Sequence, residues 1–300
     1  MSVNIPTHAS QEFSHTVQLL AQQLQSKLES TVTTGSHTGE QASPVDQFAR
    51  IEALENTERY TDMPRVDADT DRRWVIPRDF DLPQLVASKD LIRMLNDPKA
   101  PLARAAVAAH NRKKDLVILQ GLNGTNQTGK SGTVSTTFPS TQVVGVSTGG
   151  TTSNLNVAKL RAARKILMQN DVDMKGEEFY LVVDAAGHDS LLNEIQVVNS
   201  DYNVARDGVP IMKDGFIDRF LGFNLVHAQQ AFTGTDDLAG TSTALFAYAK
   251  SGVYLGKWID VTTRMDERAD LRDVPTQIYT KMTIGATRLD EKKVVRIWSR

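Results

Sequence analysis

The sequence predicts an α+β fold, and three observations support this. From residue 153 onward, helix-like and strand-like patterns alternate twice and are followed by several more strand-like runs, which favours an α+β or mixed α/β body. Phe179–Val183 is an uninterrupted apolar run, typical of a strand buried on both faces. Near the C-terminus, Gln277–Leu289 and Lys293–Trp298 favour strands, and residues 290–292 between them favour a turn.

The composition fits one large domain or two of ordinary size. The chain has 300 residues, of which 40% are hydrophobic and 23% are charged, so it can bury a substantial core. Its formal net charge of −2 provides no basic excess to neutralise phosphates, so nucleic-acid binding is not a leading hypothesis. The absence of cysteine excludes disulfides, thiolate chemistry and cysteine-ligated zinc. The sequence has no run of 18 apolar residues and no basic-then-apolar signal at its N-terminus.

Residues 10–30 predict an amphipathic helix that has no apolar partner nearby in the chain. Ser10 can act as the N-cap. Large apolar residues then recur at helical spacing, namely Phe13, Val17, Leu20, Leu24 and Leu28. This helix must therefore pack against a distant part of the chain or against a neighbouring copy.

Residues 31–87 form a polar segment that is too rich in charged and turn residues to build a hydrophobic core by itself. Residues 31–42 are strand-like, Ser43 and Pro44 predict a helix that runs to about Tyr60, and residues 73–76 predict a brief strand. Prolines at 64, 77 and 83 are expected to prevent any long regular element. Isolated large apolar residues are expected to pack onto another surface, and these are Phe48, Trp74, Ile76, Phe80 and Leu85.

A long helix is predicted between Asp97 and Gly121, after a short helix over residues 88–95. Asp97 is the expected N-cap, Pro98 occupies the first helical position, and Gly121 supplies the stop. The apolar stripe consists of Leu102, Ala106, Ala109, Leu116 and Leu119. At ~1.5 Å per residue the helix is roughly 36 Å long, and its basic residues 112–114 are expected to be solvated.

Composition changes sharply after this helix. Of the 31 residues from Asn123 to Ser153, 20 are Gly, Ser or Thr, which favours an extended or hairpin segment.

A helix is predicted over Asn154–Gln169, with Leu160, Ala163 and Leu167 on its apolar face. Residues 187–197 are predicted helical and residues 199–216 a loop. Strands are predicted over residues 222–229, 244–249 and 252–263, with a loop over 233–243.

Gly124–Ser131 matches the phosphate-binding pattern GxxxxGK[ST] at every fixed position. That loop must leave a strand and enter a helix whose N-terminal amides hold phosphate. Leu116–Leu119 could serve as the strand, but the residues after Ser131 are rich in Thr and Val and include Pro139, so a helix is not expected there. Nucleotide binding through Lys130 and Ser131 is retained as an alternative function.

The remaining motifs indicate no catalytic, cofactor or metal site. Asp67–Asp71 begins like a calcium loop, but Arg72 stands where glycine is needed and Arg78 where glutamate is needed. Gly187–Ser190 contains the residue types of a catalytic triad, yet neighbours at a helix start favour a capping role. The six histidines lack ligand spacing. Residues 264–273 alternate in charge, which predicts a solvated loop or salt bridges between subunits. The sequence therefore predicts a protein that is not an enzyme.

The order of these segments resembles the major capsid proteins of tailed bacteriophages with the HK97 fold. The local likeness is carried by SPVDQFARIEALENTERYTDMP at residues 43–64, by residues 71–98 and by residues 104–132. It resumes at FYLVVDAAGHDSLL over residues 179–192, at residues 220–230, and in the tail over residues 244–261 and 278–298. Together these segments cover most of residues 43–298.

The resemblance implies an HK97-like capsid fold whose parts can be assigned in order along the chain. These are an N-terminal arm (1–30), an extended loop (31–87), a peripheral domain (88–176), an axial domain (177–250) and return strands that complete the peripheral domain (251–300). The peripheral domain would contain the spine helix (98–122) and the Gly/Ser/Thr-rich hairpin (123–153). The resemblance also implies that three segments bury their apolar residues on neighbouring subunits. These are the spine helix, the extended loop and the N-terminal arm.

The resemblance also implies a function and partners. The chain would self-assemble as pentamers and hexamers into the icosahedral shell of a virion, in the host cytoplasm, and enclose double-stranded DNA that it contacts non-specifically. The implied partners are copies of itself, a separate scaffolding protein, a portal protein and a decoration protein; no cofactor and no membrane is implied. An encapsulin-like compartment shell that encloses protein cargo is a second alternative.

Two departures from the family pattern lead to further expectations. Some relatives join a lysine of the extended loop to an asparagine elsewhere, but residues 31–87 contain no lysine, so no such cross-link is expected. Some relatives carry a long N-terminal scaffolding segment that is removed by a protease. Because the chain begins at Met1 and few residues precede the extended loop, a separate scaffolding protein, or none, is expected.

Overall fold

The computed structural model describes residues 21–40, 42–55, 65–87, 99–150, 153–194, 212–213, 215–229, 232–235, 241–272 and 274–300. They belong to two compact units. The first comprises residues 1–25, 79–112 and 259–282, and the second comprises residues 26–78, 113–258 and 283–300. In the described part of the chain, no helix has the length and apolar character needed to cross a membrane.

Three α-helices and seventeen strands form the described parts of the two units. The helices are α1 (Lys99–Asn123), α2 (Val157–Gln169) and α3 (Ala185–Leu192). The strands of the first half are β1 (Thr33–Ser36), β2 (Ala42–Phe48), β3 (Thr70–Val75), β4 (Arg78–Val86), β5 (Asn126–Thr128), β6 (Val134–Thr136) and β7 (Val143–Val144). The second half contributes β8 (Phe179–Val183), β9 (Met212–Lys213), β10 (Phe216–Ile217), β11 (Arg219–Phe220), β12 (Phe223–His227), β13 (Phe232–Thr235), β14 (Thr241–Ala249), β15 (Val253–Glu267), β16 (Thr276–Arg288) and β17 (Val294–Ser299).

The main core lies between a seven-stranded mixed sheet and helix α2. The strand order is β11-β12-β8-β14-β17-β7, and β13 pairs with β14. Strand β8 runs parallel to β12 and antiparallel to β14, so it is central and, as predicted, largely buried. Leu160, Ala163 and Leu167 of α2 are fully buried, which confirms its apolar face. The helix begins three residues later than predicted, because the Asn156 side chain accepts a hydrogen bond from the Lys159 N–H and forms the N-cap.

A second sheet, of order β2-β3-β5-β6, joins the polar segment to the Gly/Ser/Thr-rich segment. The predicted hairpin of that segment is confirmed as the antiparallel pair β5–β6. The predicted helix over residues 43–60 is wrong, because residues 42–48 form a strand and residues 49–55 are irregular. Strand β2 pairs with β3 from Ala42 opposite Val75 to Phe48 opposite Thr70, and this ladder prevails over the local Ser-Pro capping signal. Residues 56–60 lie outside the described residues.

The third sheet has the order β1-β15-β16-β4 and contains the two longest strands. The predicted strands near residues 252–263 and 277–289 are confirmed as β15 and β16, and the C-terminal turn and strand are confirmed as well. The expectation that prolines prevent a long strand is wrong, since Pro83 lies inside the nine-residue β4. Strand β4 is at the edge of its sheet, where a residue without an N–H is tolerated.

Helix α1 confirms the long helix, but Gly121 does not end it. The helix continues to Asn123. A β-carbon at Gly121 would lie 2.9 Å from backbone atoms of Ala286, so the glycine permits a close approach of β16. Arg288 Nη1 donates to the carbonyls of Leu122 and Gly124, both at 2.6 Å, and satisfies the helix C-terminus. The predicted N-cap and first helical position, Asp97 and Pro98, lie outside the described residues.

Several other predicted boundaries differ from the structure. Within the predicted helix 10–30, residues 21–28 are irregular and Glu29–Thr31 form a single 3₁₀ turn, while residues 10–20 lie outside the described part. Helix α3 ends at Leu192, short of the predicted residue 197. The predicted loops 199–216 and 233–243 contain strand residues of β9, β10, β13 and β14, because Phe232 and Thr235 pair with Ala244 and Thr241 across a hairpin. The predicted helix over residues 88–95 lies outside the described residues.

Candidate assembly surfaces

Strand β2 and the irregular segment after it present large apolar side chains to solvent. Phe48, Ile51 and Leu54 are 74%, 56% and 60% exposed. Three exposed large apolar residues within seven positions, in a segment without strand partners after residue 48, are typical of a segment that packs against another protein. We refer to residues 48–54 as the apolar segment.

A buried ion pair anchors the sheet from which the apolar segment extends. The Arg73 guanidinium of β3 donates from Nη1 and Nη2 to the two carboxylate oxygens of Glu291, both at 2.7 Å. Its Nε donates to Gln47 Oε1 of β2 at 3.1 Å. The side chains of Arg73 and Glu291 are 9% and 15% exposed, so this bidentate pair connects β2 and β3 to the C-terminal turn with little competition from water.

The glycine-rich hairpin packs on the same sheet, and this placement rules out a phosphate-binding loop. Trp74 Nε1 donates to the carbonyl of Gly129 at 2.7 Å, and a β-carbon at Gly132 would lie 3.0 Å from the Trp74 ring. Residues 124–131 follow the end of α1 and form a bend, strand β5 and a turn, and strand β6 comes next. Lys130 is exposed at this turn, and no helix begins after Ser131. The geometry that the nucleotide-binding alternative requires is therefore not formed.

The chain that leads into β1 is fixed to α1 by a buried carboxylate. Asp115 accepts hydrogen bonds from the Ser26 hydroxyl at 2.5 Å and from the backbone N–H groups of Lys27 and Leu28 at 3.1 Å. Leu28 is itself fully buried. The prediction that residues 112–114 are solvated is wrong for Lys114, which is buried, whereas Arg112 and Lys113 are partly exposed.

Glu29 lies between two lysines from different elements. Lys114 Nζ of α1 donates to Glu29 Oε2 at 3.2 Å, and Lys257 of β15 donates to Oε1. Burial by itself would raise the pKa of Glu29, but the hydrogen bonds and positive charges of both lysines outweigh burial and lower the pKa below its ordinary value. The ionised carboxylate therefore stabilises the junction of these elements.

Strand β1 forms one edge of the third sheet, and aromatic side chains meet beside it. It pairs in parallel with β15, from Thr33 opposite Tyr254 to Ser36 opposite Lys257. His37 Nε2 and the Tyr254 hydroxyl lie 2.7 Å apart. A β-carbon at Gly35 would lie 1.8 Å from that hydroxyl, so any larger residue here requires the Tyr254 side chain to move.

Arg288 is a fully buried cation at the C-terminal end of α1. Its guanidinium lies 5.1 Å from the Phe138 ring centroid, and the Arg296 guanidinium lies 4.8 Å from the same centroid. Burial lowers the pKa of Arg288 to about 10, Glu291 opposes that shift, and the charges of Arg73 and Arg296 contribute to it. Glu291 is therefore the anion that compensates this buried basic group.

The remaining motifs have structural roles. The Asp184 carboxylate accepts from the Gly187 N–H and caps α3, and Ser190 donates to the Ala186 carbonyl, so Gly187–Ser190 forms no triad. Of the predicted loop over residues 264–273, residues 264–267 instead form the exposed end of strand β15. Arg268 pairs with Asp270 at 2.6 Å in the turn that follows, and salt bridges between subunits remain a prediction. Among the described residues no group of His, Asp and Glu could hold a metal ion.

Sequence reasoning missed the buried charges that organise these surfaces. Asp115 follows three basic residues on a helix, a pattern that normally indicates a solvated face. Glu291 and Arg288 flank a polar turn and have no distinctive local spacing. Their partners lie far away in the sequence, so only the tertiary structure identifies them.

Comparisons with known proteins identify a family and solved structures with a similar fold. A family model described as phage capsid protein matches residues 5–299. Among solved structures, the capsid of cyanophage P-SCSP1u superposes with a TM-score of 0.73 at 13% identity and covers 98% of this chain and 93% of its own. The cyanophage Pam1 capsid gives 0.71 at 12% identity, covering 99% and 98%. The capsid of Ralstonia phage GP4 gives 0.69 at 12% identity, covering 98% and 95%. No curated protein matches the chain.

Proposed function

Because the chain belongs to the phage capsid protein family and is a structural subunit of the phage capsid, we propose that its copies assemble as pentamers and hexamers into an icosahedral shell that encloses double-stranded DNA. Its fold is HK97-like, as in the capsid structures that it resembles. The subunit acts by association and not by catalysis. It belongs to the virion capsid, and its assembly takes place in the host cytoplasm.

We propose for the parts of the subunit the same assignment that the resemblance implies. Residues 1–30 serve as the N-terminal arm, 31–87 as the extended loop, 88–176 with 251–300 as the peripheral domain, and 177–250 as the axial domain that faces the fivefold and sixfold axes. The extended pairing of β2 with β3, and the anchorage of β3 by Glu291, support the assignment of the extended loop.

The observation that carries the proposal is the apolar segment. Phe48, Ile51 and Leu54 are each more than half exposed on a segment whose base is anchored by a buried ion pair. A neighbouring subunit that covers these side chains recovers roughly 25 cal/mol per Å² of apolar area. Contacts of the obligate class bury about 2,000 Å² or more, so many such contacts hold a shell together without catalysis.

The test is to replace the three side chains of the apolar segment by serine and to examine purified protein by size-exclusion chromatography and negative-stain electron microscopy. We expect the wild type to form closed shells and the triple variant to remain as folded small species. Met168→Ser is the matched control, since Met168 is equally exposed, at 56%, but lies on α2 outside the segment. Shells of normal yield from the triple variant would contradict the role of the segment, and a wild type that stays a 33.1 kDa monomer under all conditions would contradict the function.

The contents of the particles distinguish a genome shell from an encapsulin-like compartment. The net charge of −2 suits a wall that contains DNA and contacts it non-specifically. Particles isolated from infected cells are expected to contain nuclease-protected double-stranded DNA. Particles that hold a specific protein and no DNA would favour the compartment alternative.

We expect a separate scaffolding protein and a portal protein to take part in assembly, and a decoration protein to bind the finished shell. The extended loop has no lysine between residues 31 and 87, so mature particles should dissociate to single subunits in denaturing electrophoresis. A ladder of covalent multimers would show that a cross-link forms by another route.

A further inference from the structure

The second half of β15 is an exposed sheet edge. Strand β1 covers the outer side of β15 only as far as Lys257. From Ile259 to Glu267 every side chain except the half-buried Val261 is exposed. In the sheet order, β16 lies on the other side of β15, and no described strand follows β1 along the outer edge.

The backbone shows which residues face this edge. The Lys257 carbonyl accepts a hydrogen bond from the His37 N–H at 2.9 Å, so the backbone N–H and C=O groups of Lys257 face the outer side of the strand. Alternate residues of a strand point their N–H and C=O groups to the same side, so those of 259, 261, 263 and 265 also face outward. The Val261 N–H is accepted by the Asp260 side chain at 2.8 Å instead of by a strand carbonyl.

The sequence of this edge is complementary to itself when it is read in the opposite direction around Thr262. Asp260 then lies opposite Arg264 of a second copy, and Ile259 lies opposite Met265 of the second copy. Because a two-fold axis relates the two copies, each of these residue pairs occurs twice in the contact. Opposite charges and apolar residues are the cross-strand pairs that stabilise antiparallel sheets.

Other pairing registers between the two copies give less favourable cross-strand pairs. A shift by one position places outward-facing residues opposite inward-facing ones and breaks the ladder. Of the two neighbouring registers that keep the outward groups matched, the one centred on Thr263 places Asp260 opposite Asp266 of the second copy, and like charges directly opposite each other are destabilising. The one centred on Val261 places Asp260 opposite Thr262 and Arg264 opposite Trp258 of the second copy, so it forms neither opposite-charge pair. The register centred on Thr262 is therefore favoured.

We propose that two copies of the chain pair antiparallel through residues 259–265 of β15, with Thr262 on the two-fold axis. This contact rests on the proposed function, because an icosahedral shell contains two-fold axes between neighbouring capsomers. It is an isologous contact in which the same strand serves both subunits, and it extends the third sheet from one subunit into the next.

A single cysteine tests the register, because the chain has none of its own. In the proposed pairing the two copies of Thr262 face each other with Cα atoms about 4.5 Å apart, within the range that a disulfide can bridge. Thr263 is equally exposed, but its two copies are diagonal to each other at about 7 Å or more, beyond that range. Oxidised particles of Thr262→Cys should give covalent dimers in non-reducing electrophoresis, whereas particles of the matched control Thr263→Cys should give monomers.

Charge reversal tests the pairing partners on the Thr262→Cys background. Asp260→Arg alone and Arg264→Asp alone each place like charges opposite each other twice, and the dimer yield should fall about tenfold. The double reversal D260R/R264D restores opposite charges and should restore the yield. Particles that form normally but give no Thr262 dimer, or no recovery in the double reversal, would overturn this inference and leave the proposed function standing. A wild type that forms no particles would refute the proposed function and this contact with it.

Discussion

Replacing Glu291 by glutamine should destabilise the subunit by removing the only carboxylate hydrogen-bonded to Arg73 among the described residues. The substitution keeps the shape of the side chain but replaces one carboxylate oxygen by an N–H₂ group that faces a guanidinium donor. The charge of Arg73, whose side chain is only 9% exposed, is then balanced only by the longer ion pair with the more exposed Asp71, at 4.0 Å, among the described residues. Arg288, whose charged form Glu291 favours, loses compensation as well.

The magnitude follows from the geometry of the pair. Two unit charges about 4 Å apart interact by about 4 kcal/mol at an effective dielectric constant near 20. Removing one partner of a buried pair costs about 3–5 kcal/mol. Since Glu291 is 15% exposed and glutamine retains one acceptor, we expect a loss at or below the lower end of that range, about 2–3 kcal/mol in the free energy of unfolding.

The assay is urea unfolding of unassembled subunits, combined with hydrogen exchange of the backbone amides of β3. The midpoint should fall, and the β3 amides should exchange faster than those of the buried strand β8. Glu178→Gln is the matched control, because Glu178 pairs with Lys250 at 3.5 Å on the surface and its loss should change little. A free energy for Glu291→Gln within about 0.5 kcal/mol of the wild type, the range of ordinary surface substitutions, would refute the reasoning.

Three further substitutions test the other contacts. Asp115→Ala should cost about 3 kcal/mol, since three donors of residues 26–28, of which the Leu28 N–H is buried, lose a charged acceptor. Limited proteolysis should then cut near those residues while the wild type resists. Gly121→Ala should destabilise by about 1–3 kcal/mol in thermal unfolding, although alanine is the better helix former, because its β-carbon would lie 2.9 Å from the Ala286 backbone; a higher melting temperature would contradict this packing. The ionised Glu29 stabilises the fold above its ordinary pKa of 4.5, and this stability is lost as the pH falls through its lowered folded-state pKa. Glu29→Gln should therefore flatten the dependence of the unfolding free energy on pH in that acidic range. An unchanged pH profile would contradict the role of Glu29.

Local patterns in the sequence were enough for the elements whose partners are near or whose periodicity is strong. The α2 face of Leu160, Ala163 and Leu167, the apolar run of β8 and the C-terminal hairpin needed only spacing and turn chemistry. The glycine-rich hairpin β5–β6 was predicted for the same reason. The capsid family was also accessible from the sequence, because the order of its segments is preserved along most of the chain.

The tertiary structure decided the features that depend on distant partners. Residues 42–48 carry a helix-start signal but form a strand, because the ladder with β3 satisfies more backbone groups than a cap does. Gly121 resembles a helix stop and instead admits the backbone of Ala286. Asp115 and Glu291 resemble surface carboxylates, but Asp115 is buried and the Glu291 side chain is only 15% exposed, and both accept hydrogen bonds from residues far away in the sequence. A local pattern records propensity, whereas pairing and burial depend on which segments the fold brings together, and no short window of sequence contains that information.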